Sequence, residues 1–327
     1  MKTVLVVGGA GYIGAHANKE LCKNGYKTVV YDNLDTGHKG FCLWGNFFQG
    51  DLNDIGKLQE VFAEYSIDTV MHFAGSAYIG ESVVDPEKYY LNNVRNTLNL
   101  LRVMREFKVN KIIFSSSCSV YGIPEELPIR EDSQQVPINP YGWSKLMIER
   151  ILRDYSKSYG LRFMALRYFN AAGADPENEI GEWHEPETHI IPLILDAASG
   201  RIDNLKVFGN DYPTSDGTCI RDYVHVSDIA HAHVSALDFL NQRGESQCLN
   251  LGNSRGYSIK ELIATAESVT RKKIPFLIES RREGDPHSLI GDTQRAAEIL
   301  DWKAQYSDLN TIIESAWRWH LKVNGLK

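Results

Sequence analysis

Little in this sequence points to disulfides, membranes or nucleic acid. Its five cysteines (Cys22, Cys42, Cys118, Cys219, Cys248) are an odd number without a CxxC spacing, so neither a disulfide framework nor a zinc site is suggested, and no metal is expected. They read as thiols in a reducing compartment. No apolar run approaches the roughly 18 residues of a membrane span, and no stretch resembling a signal peptide opens the sequence. A cytoplasmic protein without a membrane partner is the expectation. The net charge of −7 is not relieved by any block of Lys or Arg, which argues against a nucleic-acid partner. An anionic ligand then has to be held by a few placed cations.

What is present is a globular pattern. At 327 residues with 43% hydrophobic and 24% charged side chains, the chain can bury a large core, as two domains or one with an appendage. Short Val- and Ile-rich runs recur between helix-like segments: residues 3–8, 27–32, 68–75, 111–117 and 162–170. That alternation is what a parallel sheet buried on both faces requires. The reading is an α/β protein: a Rossmann-type doubly wound sheet over residues 1–170, with a return segment near 218–250. A smaller α/β lobe, mainly 171–327, is expected to bind substrate. The polar stretch AAGADPENEIGEWHEPETH after Asn170 suits loops that shape a ligand site.

The first strand runs directly into VLVVGGAGYIGAH, placing Gly8, Gly9, Gly11 and Gly14 at a strand-to-helix turn. Glycine permits the tight turn, lets backbone N–H groups approach a pyrophosphate at the helix N-terminus, and allows close helix-to-strand packing. Asp32 follows 18 residues after Gly14, at the end of the second strand, where a carboxylate can accept hydrogen bonds from an adenosine ribose. It would repel a 2′-phosphate, and no Arg adjoins it, so NAD is favoured over NADP.

In NPYGWSKLMIER (139–150) a tyrosine precedes a lysine by four residues. Pro140 suits the first helical turn, so Tyr141 and Lys145 share one face. Such pairs occur on many solvated helices. Met147, Ile151 and Tyr155 recur on another face and are expected to be its buried side, leaving the pair free to meet a ligand. A nearby ammonium and a positive nicotinamide would favour phenolate over a phenol that normally titrates near 10. The serines Ser115–Ser117 close a predicted strand, where carboxyl ends face ligands.

Together GGAGYIG, YDN, FAG, SSS…VYG, YGWSK and RYFN resemble the extended short-chain dehydrogenase/reductase superfamily. NNV, RYFNAAGA, FGNDYPTSDGTCIRDYVHV and RREGD narrow the resemblance to its UDP-glucose 4-epimerase family, almost end to end. The resemblance implies Tyr141 as base at the sugar 4-hydroxyl, Lys145 on the nicotinamide ribose, and Ser117 bonded to the sugar oxygen. It implies that hydride passes from C4 to NAD and back to the opposite face of a transient 4-keto sugar. Cofactor contacts would come from Gly8, Gly11, Tyr12, Ile13, Gly14, Asp32, Asn33, Asp51, Leu52, Phe73, Ala74, Asn92, Ser115, Tyr141, Lys145 and Tyr168. The UDP-sugar would meet Ser117, Asn170, His189, Ile190, Val207, Phe208, Arg221, Arg282, Asp285 and Leu289, the two arginines serving as cations for a diphosphate.

Departures from the family pattern are Ala77, where some members carry Lys, His189, where some carry Asn, and Leu289, where the family's sugar-size gate stands. Leucine is intermediate between a gate that excludes N-acetylated sugars and one that admits them. The UDP-galactose/UDP-glucose pair is therefore favoured, with UDP-N-acetylhexosamines or UDP-xylose/UDP-arabinose as alternatives. A 4,6-dehydratase is disfavoured because Cys118 and Ser119, not an acid, follow Ser117; a non-catalytic NAD-binding protein would have lost Tyr141 or Lys145. The resemblance also implies a homodimer through the helices holding NNVRNTLNLLRVM and YGWSKLMIERIL.

Overall fold

The computed structural model describes residues 2–242, 245–282 and 284–326. Among these residues the strands are β1 (Thr3–Val7), β2 (Lys27–Asp32), β3 (Asn46–Gln49), β4 (Ile67–His72), β5 (Lys111–Ser117), β6 (Arg162–Tyr168), β7 (Asn170–Ala172), β8 (Leu205–Phe208), β9 (Ile220–His225), β10 (Gln247–Leu251), β11 (Gly256–Ser258), β12 (Phe276–Glu279) and β13 (Ser288–Leu289). Seven lie parallel in one sheet, ordered β10, β6, β5, β4, β1, β2, β3. Alternate side chains of β1 enter two cores. Leu5 and Val7 pack with Leu58, Leu100, Met104, Ile148 and Leu152 from the helices Ile55–Glu64, Asn96–Glu106 and Pro140–Tyr159. Val4 and Val6 pack with Leu21, Leu237 and Leu240 from the helices Tyr12–Lys23 and Val226–Gln242. Covering both faces explains why the strands are continuously apolar.

Strand order reverses at β1, which has β4 on one side and β2 on the other. A crevice therefore opens at the carboxyl ends of these strands, the usual ligand position in open parallel sheets. The later strands build a second layer. β9 pairs with β7 and β13 in parallel and with β11 antiparallel, while β8 and β12 form a separate pair. A third core of Ile191, Leu195, Leu205, Val207, Tyr223, Leu262 and Ile313 lies beneath them.

The run 162–170 is broken by Phe169 into β6 and β7, and the run 68–75 leaves the sheet at His72. The larger correction concerns the helix Pro140–Tyr159. Its buried face is Gly142, Ser144, Lys145, Ile148, Glu149 and Leu152, whereas Met147 is exposed and Ile151 and Tyr155 are only half-buried. Polar residues occupy the buried stripe because they have partners waiting. Glu149 accepts from Arg167 Nε and Nη2 at 2.8 and 2.6 Å and from Ser116 Oγ at 2.7 Å. Arg167 Nη1 also donates to the Tyr121 hydroxyl at 2.8 Å.

Both side chains of this fork are essentially inaccessible, at 0% and 1% exposure. Removing one partner would strand a buried charge, a loss of about 3–5 kcal/mol. Glu149→Ala is accordingly expected to lower the urea unfolding midpoint sharply, whereas Arg150→Ala, whose partner Asp154 is exposed, should leave it within about 0.5 kcal/mol of the parent.

Candidate active site

At the end of β1 the chain turns on Gly8, whose φ of +78° lies in the left-handed region and whose added Cβ would meet Ala74 N at 2.4 Å. A Cβ on Gly14 would meet Gly8 O at 2.2 Å, so the helix Tyr12–Lys23 seats directly on the turn. Gly11 caps that helix without a side-chain hydrogen bond, leaving the first-turn N–H groups to face a ligand. Asp32, at the end of β2, accepts from Ala10 N at 3.0 Å and Leu34 N at 2.8 Å. Burial raises its pKa, and these two N–H groups oppose the rise. The buried carboxylate thus clips the glycine turn as well as standing beside it. Asn33 donates to Asp51 at 2.7 Å, and Asn99 holds the Leu52 carbonyl at 3.1 Å. Phe73 N and Ala74 N bond to Val7 O at 2.8 and 3.1 Å, and Asn92 donates to Ser76 at 2.9 Å. A closely approached glycine turn, an uncapped helix N-terminus and a carboxylate at the next strand end fit a dinucleotide. Tyr12 and Ile13 open the helix, with the Tyr12 hydroxyl donating to Gly173 O at 2.6 Å.

Two strands along, β5 ends in the serines. Asn139 caps the helix Pro140–Tyr159 by accepting from Gly142 N at 2.8 Å. A Cβ on Gly142 would lie 2.5 Å from Ser119 O, so the helix start abuts the turn after β5. This contact brings Tyr141 beside Ser117, whose hydroxyl favours the ionised phenol. Lys145 Nζ donates to Ser115 O at 2.8 Å and stands 5.7 Å from the Tyr141 ring centroid. Ser115 Oγ is hydrogen-bonded to the Tyr168 hydroxyl. Tyr89, unremarked in the sequence, meets Tyr141 edge-on with ring centroids 6.4 Å apart.

The electrostatics depart from expectation. Burial pushes Tyr141 up to about 12, against the pull of its Ser117 hydrogen bond, and pulls Lys145 down to about 8. Desolvation outweighs the attraction between ammonium and phenol in the chain alone, so the phenolate needs charge that the chain does not itself supply.

The second layer contributes Arg221, Asp285 and Leu289. Arg221, buried on β9, is ion-paired to Asp285, and its strand partner across the β9–β13 pairing is Leu289. Leu289 packs against Cys118, Val120, Tyr121, Ile129 and Phe169, directly beyond the serines. Asn170 donates to Asp222 O at 2.8 Å, and Arg282 lies over the Phe208 ring at 4.1 Å. Val207 points into the third core at 1% exposure. His189 and Ile190 stand at the start of the helix Ile190–Ser199. His189, itself exposed, groups with Glu182, His184 and Glu187. Burial disfavours both imidazolium forms, yet the two carboxylates raise His184 to about 9 and His189 to about 10. The sequence reading took only His189 from this group; the E-x-H-x-x-E-x-H spacing at 182–189 was the signal for the rest.

Lys145 offers a check on the site's burial. An unfolded lysine titrates near about 10.4, so between about pH 8 and about pH 10 this one group binds more protons in the unfolded chain than in the folded one. The contribution of Lys145 to the stability of the dinucleotide-free chain should therefore rise across that window, by about 1–3 kcal/mol, as the cost of a buried ammonium is relieved. The urea midpoint of the parent relative to that of Lys145→Met should follow this rise, because His184, His189 and Cys118, held above their ordinary values and opposing it, act alike in both chains.

Comparison with known proteins gives this geometry its context. Residues 4–252 match the NAD dependent epimerase/dehydratase family. A UDP-glucose 4-epimerase of Rhizobium leguminosarum bv. trifolii is 50% identical over 323 residues, 99% of this chain and 98% of the relative. The crystal structure of UDP-glucose 4-epimerase from Brucella ovis in complex with NAD superposes with a TM-score of 0.95 at 52% identity, covering 97% of this chain and 98% of that one. That from Bifidobacterium longum, in complex with NAD+ and UDP, does so with 0.93 at 39% identity, covering 98% of each. Matches of this extent carry the glycine turn, the Tyr141 helix and the second layer together, and the chain belongs to the NAD dependent epimerase/dehydratase family.

Proposed function

We propose that the chain interconverts UDP-galactose and UDP-glucose by NAD-dependent 4-epimerisation through a transient 4-keto sugar. The observation that carries this reading is the meeting of Tyr141, Ser117 and Lys145 at the end of β5, with Arg221 and Leu289 facing the same end from the second layer. Residues 1–170 and the return near 218–250 hold NAD, through the glycine turn, Asp32, Asn33, Asp51, Leu52, Phe73, Ala74, Asn92, Ser115 and Tyr168. Residues 171–327 mainly hold the UDP-sugar. NAD, when bound, supplies a hydride acceptor and a positive ring beside the phenol. Tyr141 takes the proton of the sugar 4-hydroxyl at its phenol oxygen and gives it back after the sugar has turned. Ser117 orients that oxygen by hydrogen bonding, and Lys145, fixed on the Ser115 carbonyl, places positive charge below the phenol.

Arg221 and Arg282 supply the placed cations that a diphosphate needs in a chain of net charge −7. Asn170, His189, Ile190, Phe208, Asp285 and the Val207 backbone complete the proposed sugar-nucleotide contacts. Cys118 supports epimerisation over dehydration: burial pushes its thiol up to about 12, so it is a poor proton donor and no acid follows Ser117. Leu289 is half-buried and packed, which favours the unsubstituted hexose pair over N-acetylated sugars. We further propose a cytoplasmic homodimer. Among the described residues no helix is long and apolar enough to cross a membrane. Leu91, Leu98, Trp143 and Met147 are exposed along the two segments expected to form the interface.

Incubation with UDP-galactose and no added reduced cofactor should yield an equilibrium mixture containing UDP-glucose. Tyr141→Phe should lower kcat by about 10²–10⁴-fold while the protein stays folded. UDP-N-acetylgalactosamine should turn over more slowly, and Leu289→Gly should narrow the gap. If the folded, NAD-loaded protein converts neither these two sugars nor UDP-xylose, the epimerase reading fails.

A further inference from the structure

The segment between β7 and the helix Ile190–Ser199 gathers Glu182, His184, Glu187 and His189 so that one ligand atom from each lies within 4.8 Å of the others. His189 Nδ1 stands 2.9 Å from Glu182 Oε1 and 3.0 Å from Glu187 Oε1, and His184 Nδ1 stands 3.4 Å from Glu182 Oε1 and 3.5 Å from Glu187 Oε2. A cation about 2.0–2.1 Å from four tetrahedral N and O ligands holds them about 3.3–3.4 Å apart. The observed separations bracket that edge length. Hydrogen bonding leaves part of the arrangement unaccounted for, because His184 Nδ1 is buried yet makes no hydrogen bond. Its two carboxylate neighbours, at 3.4 and 3.5 Å, pair with it as ions rather than through a short hydrogen bond, and a shared cation could be reached from the same position.

A second acidic group shows what a filled cluster looks like. Asp175, Glu177 and Glu179 also converge, but Lys19 Nζ sits among them at 2.8, 2.6 and 2.6 Å. There the chain supplies a cation that cannot itself ligate a metal; at residues 182–189 it supplies two imidazoles, which become metal ligands by giving up the protons that the carboxylates favour. The backbone is already secured for such a role. Trp319 Nε1 donates to Glu182 O at 2.9 Å, His38 stacks on Trp183 with centroids 4.1 Å apart, and Tyr12 meets His184 edge-on at 6.3 Å.

We propose that Glu182, His184, Glu187 and His189 form a tetrahedral site for a divalent transition-metal ion of the Zn²⁺ class, which fastens this segment beside the N-terminus of the helix Tyr12–Lys23. With four protein ligands the site is closed and structural, with no open position for a reacting water. It shares His189 with the proposed sugar-nucleotide contacts, but ion binding requires no turnover, so the two readings fail separately.

The test uses the full chain as purified, stripped with a chelator and dialysed against Zn²⁺, with metal content measured by mass spectrometry. Replacement by Co²⁺ reads the geometry through its visible absorption. One equivalent of Zn²⁺ and a four-coordinate Co²⁺ spectrum are expected. Glu182→Gln, His184→Gln and Glu187→Gln should each weaken binding by about 100-fold or more, with unchanged circular dichroism, whereas Glu177→Gln should bind like the parent. Substoichiometric uptake by the parent chain, an octahedral Co²⁺ spectrum, or uptake that survives in the folded variants overturns the site. The parent stoichiometry depends on no variant folding.

Discussion

The buried fork between Arg167 and Glu149 is the constraint on which the reaction centre depends. Glu149 lies one helical turn beyond Lys145 and two beyond Tyr141, and it receives Arg167 from β6 and Ser116 from β5. A helix resting on apolar side chains alone could rotate or slide by a few tenths of an ångström with little cost. A bidentate guanidinium–carboxylate pair permits neither, because its geometry is planar and directional. The fork therefore sets the rotation of the helix that aims the phenol and the ammonium at the strand ends. Tyr121 extends the same network, accepting from Arg167 and donating to Asn250 on β10 at 2.7 Å. Ladder pairing, helix rotation and the turn after β5 thus share one set of hydrogen bonds.

Rigidity of this kind requires dryness, and dryness determines the acid–base behaviour. The same enclosure that fixes Lys145 on Ser115 O lowers its affinity for a proton and raises that of Tyr141. A chain without ligands thus holds a protonated phenol. Ionisation becomes favourable only when further positive charge arrives in the pocket. Proton abstraction is in this way tied to occupancy, and a reactive phenolate is absent from the empty pocket.

Much of this was legible in the sequence. Apolar runs without polar alternation marked a sheet covered on both faces, glycines at one strand end marked a close backbone approach, and Asn139–Pro140 marked a helix start. These are local signals, and local chemistry decides them. The buried side of the helix Pro140–Tyr159 was not legible. Met147, Ile151 and Tyr155 form the more apolar stripe, but Glu149 and Lys145 are drawn inward by an arginine and a carbonyl on distant strands. Nor could the direction of the Tyr141 shift be read, since desolvation depends on what encloses a group, and spacing records only what adjoins it. The convergence at 182–189 lay partly within reach. Three acids and two histidines in eight residues were visible, but a loop's curvature decides which of them meet.

The two layers are joined through β9, and this accounts for a feature that composition alone cannot. Arg221 carries the cation of the second layer toward the serines, while its neighbour Asp222 turns the other way and accepts from Asn253 N and Gly291 N at 2.7 and 3.2 Å. Three residues later His225 N bonds to Ser307 Oγ at 2.8 Å, and the chain enters the helix Val226–Gln242 beneath the main sheet. Asp228, in the first turn of that helix, accepts from Gln305 N, Tyr306 N and Ser307 Oγ at 2.9, 2.9 and 2.6 Å. One continuous segment therefore begins at the proposed sugar-nucleotide site and ends in the core under the glycine turn. An arginine placed on that segment is held at a fixed distance from β5, and an acidic chain can hold an anionic ligand with few cations when one of them, Arg221, is built into a strand anchored at both ends.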